Sequence, residues 1–353
     1  MQAIIDRFML EGSPVYCGRY GNGHINETYL VETDAPHAYI LQKINRCIFT
    51  NAAGLMENIV AVTDYLRRQG LDARHVLTLV PTKTGEAYLS AEDGEYYRVY
   101  EFVTDSLCLD KAETAEDFRQ SAVAFGQFQN QLADFPAATL HETIPHFHDT
   151  PARYEQLKAA IREDKAGRRK TVEREIDFYL AREKDAAEMV NLCREGALPL
   201  RVTHNDTKLN NVMLDKATRT PLCVIDLDTV MPGLAANDFG DSIRFGASTA
   251  AEDEKDLEKV EMSLSLFEAY SQGFLSACGQ RLTPIEIETL PLGAKLMTLE
   301  CGSRFLADYL NGDTYFHVSR PEHNLDRART QMKLVADMEK KMERMRAIVL
   351  ENR

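Results

Sequence analysis

The sequence predicts an α+β protein with a small antiparallel-sheet domain over residues 1–103 and a large helical domain over 104–353. Three observations support this. Up to Val103, short β-branched and aromatic runs alternate with turn residues. Beyond it, apolar residues recur at helical spacing. Among those later helices only two strand-like pieces return, "NVMLD" and "PLCVIDL".

In chain order, "PVYCGRYG", "ETYLVETD", "AYILQKIN", "RHVLTLVPT" and "EYYRVYEFV" predict five antiparallel strands, punctuated by Gly, Pro or Asp. One helix interrupts them from about Asn51 to Gln69, where Ala53, Met56, Ile59, Val60, Thr63 and Leu66 follow helical spacing and Gly70 supplies a stop. "YEFVTDS" is the connector. The stripe Phe118, Ala122, Phe125, Phe128 and Leu132 then predicts a helix over 114–135. Further helices are expected over 151–163, 171–194, 254–273, 284–310 and 323–349. The two late strand pieces, separated by "KATRT", read as a hairpin.

The 353 residues permit a large core, and the composition, 44% hydrophobic and 27% charged, is that of a soluble globular chain. A net charge of -14 disfavours nucleic acid and anionic lipid, both of which attract basic surfaces. The cluster Arg168, Arg169, Lys170 lies among acidic residues and reads as a solvated helical face. No protein partner is indicated. Seven scattered cysteines without a Cys-x-x-Cys pair fit a reducing compartment rather than a disulfide framework or structural zinc. The N-terminal stretch carries early acidic residues and does not read as a signal peptide. No apolar run approaches the roughly 18 residues that span a membrane, so the expected location is cytoplasmic.

The chain has no P-loop, no Gly-x-Gly-x-x-Gly between strand and helix, no His-Glu-x-x-His and no Gly-x-Ser-x-Gly. Three separated elements remain. "VTHNDTKLNNVMLD" holds His204, Asp206, Lys208 and Asn211; "CVIDLDT" ends an apolar strand on Asp226; "GRYGNGHINETYLV" places Gly21, Gly23 and Asn26 in a strand–turn–strand ahead of Lys43. These residue types suit phosphoryl transfer. Asn211 and Asp226 offer hard oxygens to Mg2+. Asp206 is a carboxylate able to orient a hydroxyl and take its proton. Lys43 is a cation for phosphates, and glycines let backbone N–H groups approach them closely. Taken singly, each has an ordinary reading: a turn cap for Asp226, a solvated strand residue for Lys43, a plain hairpin for the glycines.

"HNDTKLNN" resembles the catalytic loop of the protein-kinase-like superfamily, and "VIDLD" resembles its aminoglycoside phosphotransferase and choline kinase branch. "VTHNDTKLNNVMLD", "VIDLDTVMPGLAANDFGDSIRFG" and "LECGSRFLADYLNGDTYF" with "HNLDRARTQ" are, more narrowly, similar to the N-acetylhexosamine 1-kinases. The resemblance implies a bilobal fold, a small sheet lobe and a large helical lobe, with ATP and Mg2+ as cofactors. It implies Asp206 as the base or orienter and Lys208 as a γ-phosphate contact. It implies Asn211 and Asp226 as metal ligands, and Glu57 as the ion-pair partner of Lys43. Gly21, Gly23 and Asn26 would form the nucleotide loop, and Glu101 and Val103 the adenine hinge. Asp228 is either a further metal ligand or a support for one, while Asp238 and Asp241 are read as structural acceptors. His204 is expected to be a buried residue that holds its loop. Arg304, Asp308, Tyr309 and Tyr315 cluster in the late segment; Arg304 and Tyr315 are the expected sugar contacts, against an i,i+4 salt bridge between Arg304 and Asp308.

The activity expected is transfer of the ATP γ-phosphate to the anomeric hydroxyl of N-acetylglucosamine or N-acetylgalactosamine. The alternatives are a kinase of the same fold acting on an amino alcohol or aminoglycoside, and a non-catalytic nucleotide-binding protein.

Overall fold

The computed structural model describes residues 1–21 and 25–353. Two compact units form. Unit 1 comprises residues 1–108, 134–145 and 212–232, and unit 2 comprises 109–133, 146–211 and 233–353. The late hairpin of the sequence analysis therefore folds with the N-terminal residues.

Unit 1 begins with α1 (Gln2–Ile5) and strands β1 (Pro14–Arg19), β2 (Glu27–Thr33) and β3 (Ala38–Lys43). Then come α2 (Ala52–Arg68), β4 (Leu89–Ser90), β5 (Tyr96–Glu101) and β6 (Ser106–Leu107). The antiparallel sheet has five strands in the order β1-β2-β3-β5-β4. Its fourth strand in sequence is Leu89–Ser90 rather than the expected 74–82 segment, which makes only isolated bridges, Leu79 to Tyr100 and Thr82 to Phe8. Pro81 offers no ladder N–H, and Thr82 starts a turn closed by Gly85 and Glu86. β6 pairs with Val212–Asp215, which pairs in turn with Pro221–Val224.

The sheet's alternation decides what faces what. Val31, Tyr39, Leu41, Tyr97 and Val99 share one face and bury Ile5 and Phe8. Gln42 is paired with Arg98 and Ile40 with Tyr100, so these four point to the opposite face.

Unit 2 is helical. α3 (Ala115–Gln131) opens with a capping box between Thr114 and Asp117, as the Ser/Thr-x-x-acid spacing dictates. α4 (Thr150–Glu163) follows. The single helix expected over 171–194 is instead three short ones, α5 (Glu173–Leu180), α6 (Glu183–Ala186) and α7 (Glu188–Arg194). At the first break the Arg182 N–H bonds the Tyr179 carbonyl at 2.9 Å and its guanidinium the Phe178 carbonyl. α8 (Ala235–Gly246) was not predicted, and α9 (Leu264–Cys278) lies later than the helix expected over 254–273. The long α10 (Pro284–Asn311) has a Thr283/Glu286 capping box and stops at Gly312, with φ +96°. It packs against α4, α8 and α11 (His323–Glu351). Gly240 and Gly293 let α8 and α10 touch, for a Cβ on Gly293 would lie 2.2 Å from the Ala236 carbonyl oxygen.

Candidate active site

Unit 2 carries the 204–211 loop, which leaves the short strand Arg201–Thr203 and ends in a 3-10 turn, Leu209–Asn211. Asn205 adopts a left-handed conformation, φ +64°, which Asn tolerates better than most residues. α8 holds the loop through two carboxylates one turn apart. Asp238 accepts the N–H groups of His204 at 2.9 Å and Asn205 at 2.8 Å, along with the Gln129 amide at 2.8 Å. Asp241 accepts the Thr207 N–H at 3.0 Å. Burial alone would raise Asp241, but Arg244, His148 and Lys208 together hold it below the usual carboxylate range. The structural-acceptor reading of Asp238 and Asp241 agrees with these bonds.

His204 is fully buried against the edges of Phe125 and Phe128, and its Nδ1 accepts the Asp206 N–H at 3.3 Å. It supports the loop. Asp206 is less buried. Lys208 Nζ lies 3.0 Å from its Oδ1, and Asn211 Nδ2 donates to its carbonyl at 2.8 Å and to Oδ2 at 3.1 Å. Burial works against the Lys208 charge, but Asp206 and Asp241 outweigh it and raise the ammonium above its ordinary value. Both Asn211 contacts use nitrogen, so they do not consume the oxygen that a hard cation needs.

In unit 1, Asp226 is exposed and left-handed, φ +58° and ψ +57°, at the end of the late hairpin. Backbone strain of this kind persists where surrounding structure enforces it. Asp228, two residues on, is buried. Its Oδ1 lies 2.5 Å from Arg98 Nη1, and its Oδ2 accepts the Asn26 amide at 2.5 Å. Arg98 donates from Nε and Nη2 to Gln42 Oε1 at 3.0 and 2.8 Å and lies under the Tyr100 ring. Burial opposes the Arg98 charge, and Asp228 more than restores it.

This geometry corrects one expectation, the ion pair between Lys43 and Glu57. Lys43 belongs to the face of Leu41 and Tyr97, and its Nζ pairs with Glu95 at 3.2 Å rather than with Glu57. Glu57 is exposed and bonds His141 at 2.7 Å, while its neighbour Met56 turns inward to Arg98. Asn26 has both amide atoms engaged, Nδ2 on Asp228 and Oδ1 on the Asn45 N–H at 2.9 Å. Gly21 is exposed with φ +72° and open space around it, and Gly23 lies outside the described residues. At the expected hinge, the Glu101 N–H is used by the Thr78 carbonyl and the Val103 carbonyl by Ser106.

Back in unit 2, the Arg304 guanidinium is surrounded by rings, 5.5 Å from Phe147, 5.9 Å from Tyr315 and 5.5 Å from Phe316. The i,i+4 salt bridge does not form. Asp308 instead accepts the N–H groups of Thr314, Tyr315 and Phe316, which positions Tyr315 on the loop after α10. Tyr309 is buried beneath Arg168. A cavity of about 470 Å³ adjoins Leu209, with Phe118, Arg244, Phe245 and Glu252 in its wall; neither Arg304 nor Tyr315 lines it.

Sequence reasoning missed Arg98, His148 and Glu300. A charged residue flanked by strand-forming aromatics, as Arg98 is in "EYYRVYEFV", signals a buried charge that needs a partner. His148 and Glu300 left no local signal.

Fold and loop together define a kinase-like small-molecule phosphotransferase. The chain belongs to the phosphotransferase enzyme family, which its residues 17–270 match. Three solved structures share its fold. An aminoglycoside phosphotransferase from Alicyclobacillus acidocaldarius is 14% identical, with a TM-score of 0.63 over 99% of this chain and 96% of that one. An amicoumacin kinase in complex with AMP-PNP, Ca2+ and Ami is 14% identical, with a TM-score of 0.61 over 95% and 91%. A choline kinase from Cryptosporidium parvum is 13% identical, with a TM-score of 0.57 over 96% and 92%. No helix among the described residues is long and apolar enough to cross a membrane.

Proposed function

We propose that this phosphotransferase moves the γ-phosphate of ATP to the anomeric hydroxyl of an N-acetylated hexosamine, giving the sugar 1-phosphate. The observation that supports this acceptor class is Arg304 among Phe147, Tyr315 and Phe316. A guanidinium with ring faces offers N–H donors and stacking surfaces to a neutral sugar and its amide carbonyl, and it repels a cation. Arg153 adds to that charge, its own guanidinium lowered first by burial and then by Arg304. An amino alcohol or aminoglycoside would meet two like charges there. The 470 Å³ cavity is a weaker acceptor site, since its Arg244 is already bound to Asp241 and Glu252.

In this reading Asp206 orients the attacking hydroxyl and takes its proton, while Lys208 offsets charge on the transferred group. An anomeric hydroxyl is more acidic than an ordinary alcohol, which eases its proton transfer to a carboxylate. Asn211 and Asp226 would each lend one hard oxygen to Mg2+, which when bound neutralises phosphate charge. Among the described residues no group of three or more His, Cys, Asp or Glu forms a metal cage. A cation carried largely by the nucleotide needs none. That AMP-PNP and Ca2+ occupy the amicoumacin kinase of the same fold supports a nucleoside triphosphate with a divalent cation here.

The test is ADP release with N-acetylglucosamine, N-acetylgalactosamine, choline and kanamycin, with the product identified by phosphorus NMR. Turnover with either sugar and a 1-phosphate product is expected. Turnover confined to choline or kanamycin would assign an amino-alcohol or aminoglycoside kinase instead. Asp206→Asn should lower kcat by about 100-fold or more with the fold intact; no turnover of any acceptor by the unaltered chain would leave a nucleotide-binding role.

A further inference from the structure

We propose that His148 is a positioning residue for this transfer: as an imidazolium held by Glu300, it clamps the Asn205 carbonyl and thereby fixes Asp206. The inference rests on the phosphotransfer reading above.

The bonds fit a charged ring. His148 Nδ1 lies 2.9 Å from Glu300 Oε1, and Nε2 lies 3.2 Å from the Asn205 carbonyl oxygen. A carbonyl only accepts, so Nε2 carries a hydrogen. The other Glu300 oxygen accepts the Thr150 hydroxyl at 2.8 Å, which favours a carboxylate, and Nδ1 then carries a hydrogen too. An imidazolium–carboxylate pair results, buried on both sides. Burial works against each charge, but each partner stabilises the other, so His148 is raised above its ordinary value and Glu300 lowered below its own.

The clamp acts on a strained point. Asn205 has φ +64°; Asp238 holds its N–H and His148 its carbonyl, and the next residue is Asp206. Fixing both ends of a left-handed residue fixes the direction of the side chain that follows. The His148 ring also lies against Phe147, 4.5 Å between centroids, and Phe147 is one of the rings around Arg304. The same imidazole thus contacts the loop of Asp206 and the proposed acceptor cluster. The charged groups around it are Glu300 and Arg304 of α10 and Asp241 of α8, the last flanked by Lys208 and Arg244. Loss of the proton leaves Glu300 and Asp241 as buried anions near a neutral ring, and one of the two His148 bonds is lost.

A group whose folded pKa is raised exerts its effect fully below its ordinary value, about 6.5 for histidine, and loses it as pH rises through the folded value. kcat of the unaltered enzyme should therefore fall on the alkaline side, and Glu300→Gln should move that fall to lower pH. His148→Gln should lower kcat by about tenfold or more, with smaller changes in KM and an unchanged circular dichroism spectrum, and should abolish the alkaline limb. The ring titration of His148 in the full chain, assigned by NMR from the signal lost in His148→Gln, needs no acceptor. A midpoint above the ordinary histidine value that drops in Glu300→Gln supports the clamp even where the sugar is not the acceptor. A midpoint at or below the ordinary value, or a kcat–pH profile that Glu300→Gln leaves unmoved, overturns it.

Discussion

Arg98→Met breaks the most deeply buried ion pair of unit 1. The substitution keeps a long apolar side chain but removes the charge facing Asp228, and it deprives Gln42 Oε1 of two donors. Asp228 would keep the Asn26 amide as one neutral partner. Stranding one member of a buried pair costs about 3–5 kcal/mol, far above the roughly 0–1 kcal/mol of an exposed pair. Arg98→Met/Asp228→Leu removes both charges and should cost less than either single change, because no ion is left unpaired. Urea unfolding followed by circular dichroism reads these differences, the chain having no tryptophan to report by fluorescence. Hydrogen exchange at β3 and β5 amides assigns the transition to unit 1. A cost under about 1 kcal/mol for Arg98→Met, or a double variant as damaged as the sum of the singles, would refute the argument that this pair is dry and mutually dependent.

Two further outcomes follow from unit 2. Gly293→Ala places a methyl 2.2 Å from the Ala236 carbonyl oxygen, so α8 and α10 must part; a loss of about 1–3 kcal/mol is expected in thermal unfolding, with kcat reduced because α8 carries Asp238 and Asp241. Glu300 and Asp241 both have lowered folded pKa values, so their stabilisation is present above the ordinary carboxylate range, about 4, and is lost as pH falls through the folded values. Melting temperatures between pH 6 and 3 should fall more steeply for the unaltered chain than for Glu300→Gln or Asp241→Asn, and equal slopes would remove these two groups from the account.

The broad fold was legible because periodicity is a local property. Thr114 and Thr283 begin helices with acidic residues three positions on, and both helices formed where spacing put them. The errors arose where a non-local partner decided the outcome. Pro81 and the turn at Thr82 cut short a convincing apolar run, and the β5 edge went to Leu89–Ser90 instead. The helix expected over 171–194 is three short ones, with the Arg182 N–H turned to the Tyr179 carbonyl at the first break. α8 escaped notice because "ANDFGD" places small, polar and glycine residues where an amphipathic stripe would be sought, and its buried face includes carboxylates committed to another segment.

The site shows the same division more sharply. In "AYILQKIN" alternation correctly separates Leu41 and Lys43 from Ile40 and Gln42, but both faces carry apolar residues, so the pattern does not say which face meets α2. Lys43 lies on the face of Leu41 and pairs with Glu95. In the folded sheet the cation on the face of Asp228 is Arg98, one strand over, and Gln42 is its neighbour. That exchange has a consequence for Asp226. A lysine opposite a helix glutamate can swing; an arginine held by Gln42, Asp228 and the Tyr100 ring cannot move without stranding a buried carboxylate. Asp228 also holds Asn26, so the start of the strand Glu27–Thr33 and the turn after Asp226 share one buried network within unit 1. Asp206 with Lys208, and the Asn205 carbonyl bonded by His148, belong to unit 2.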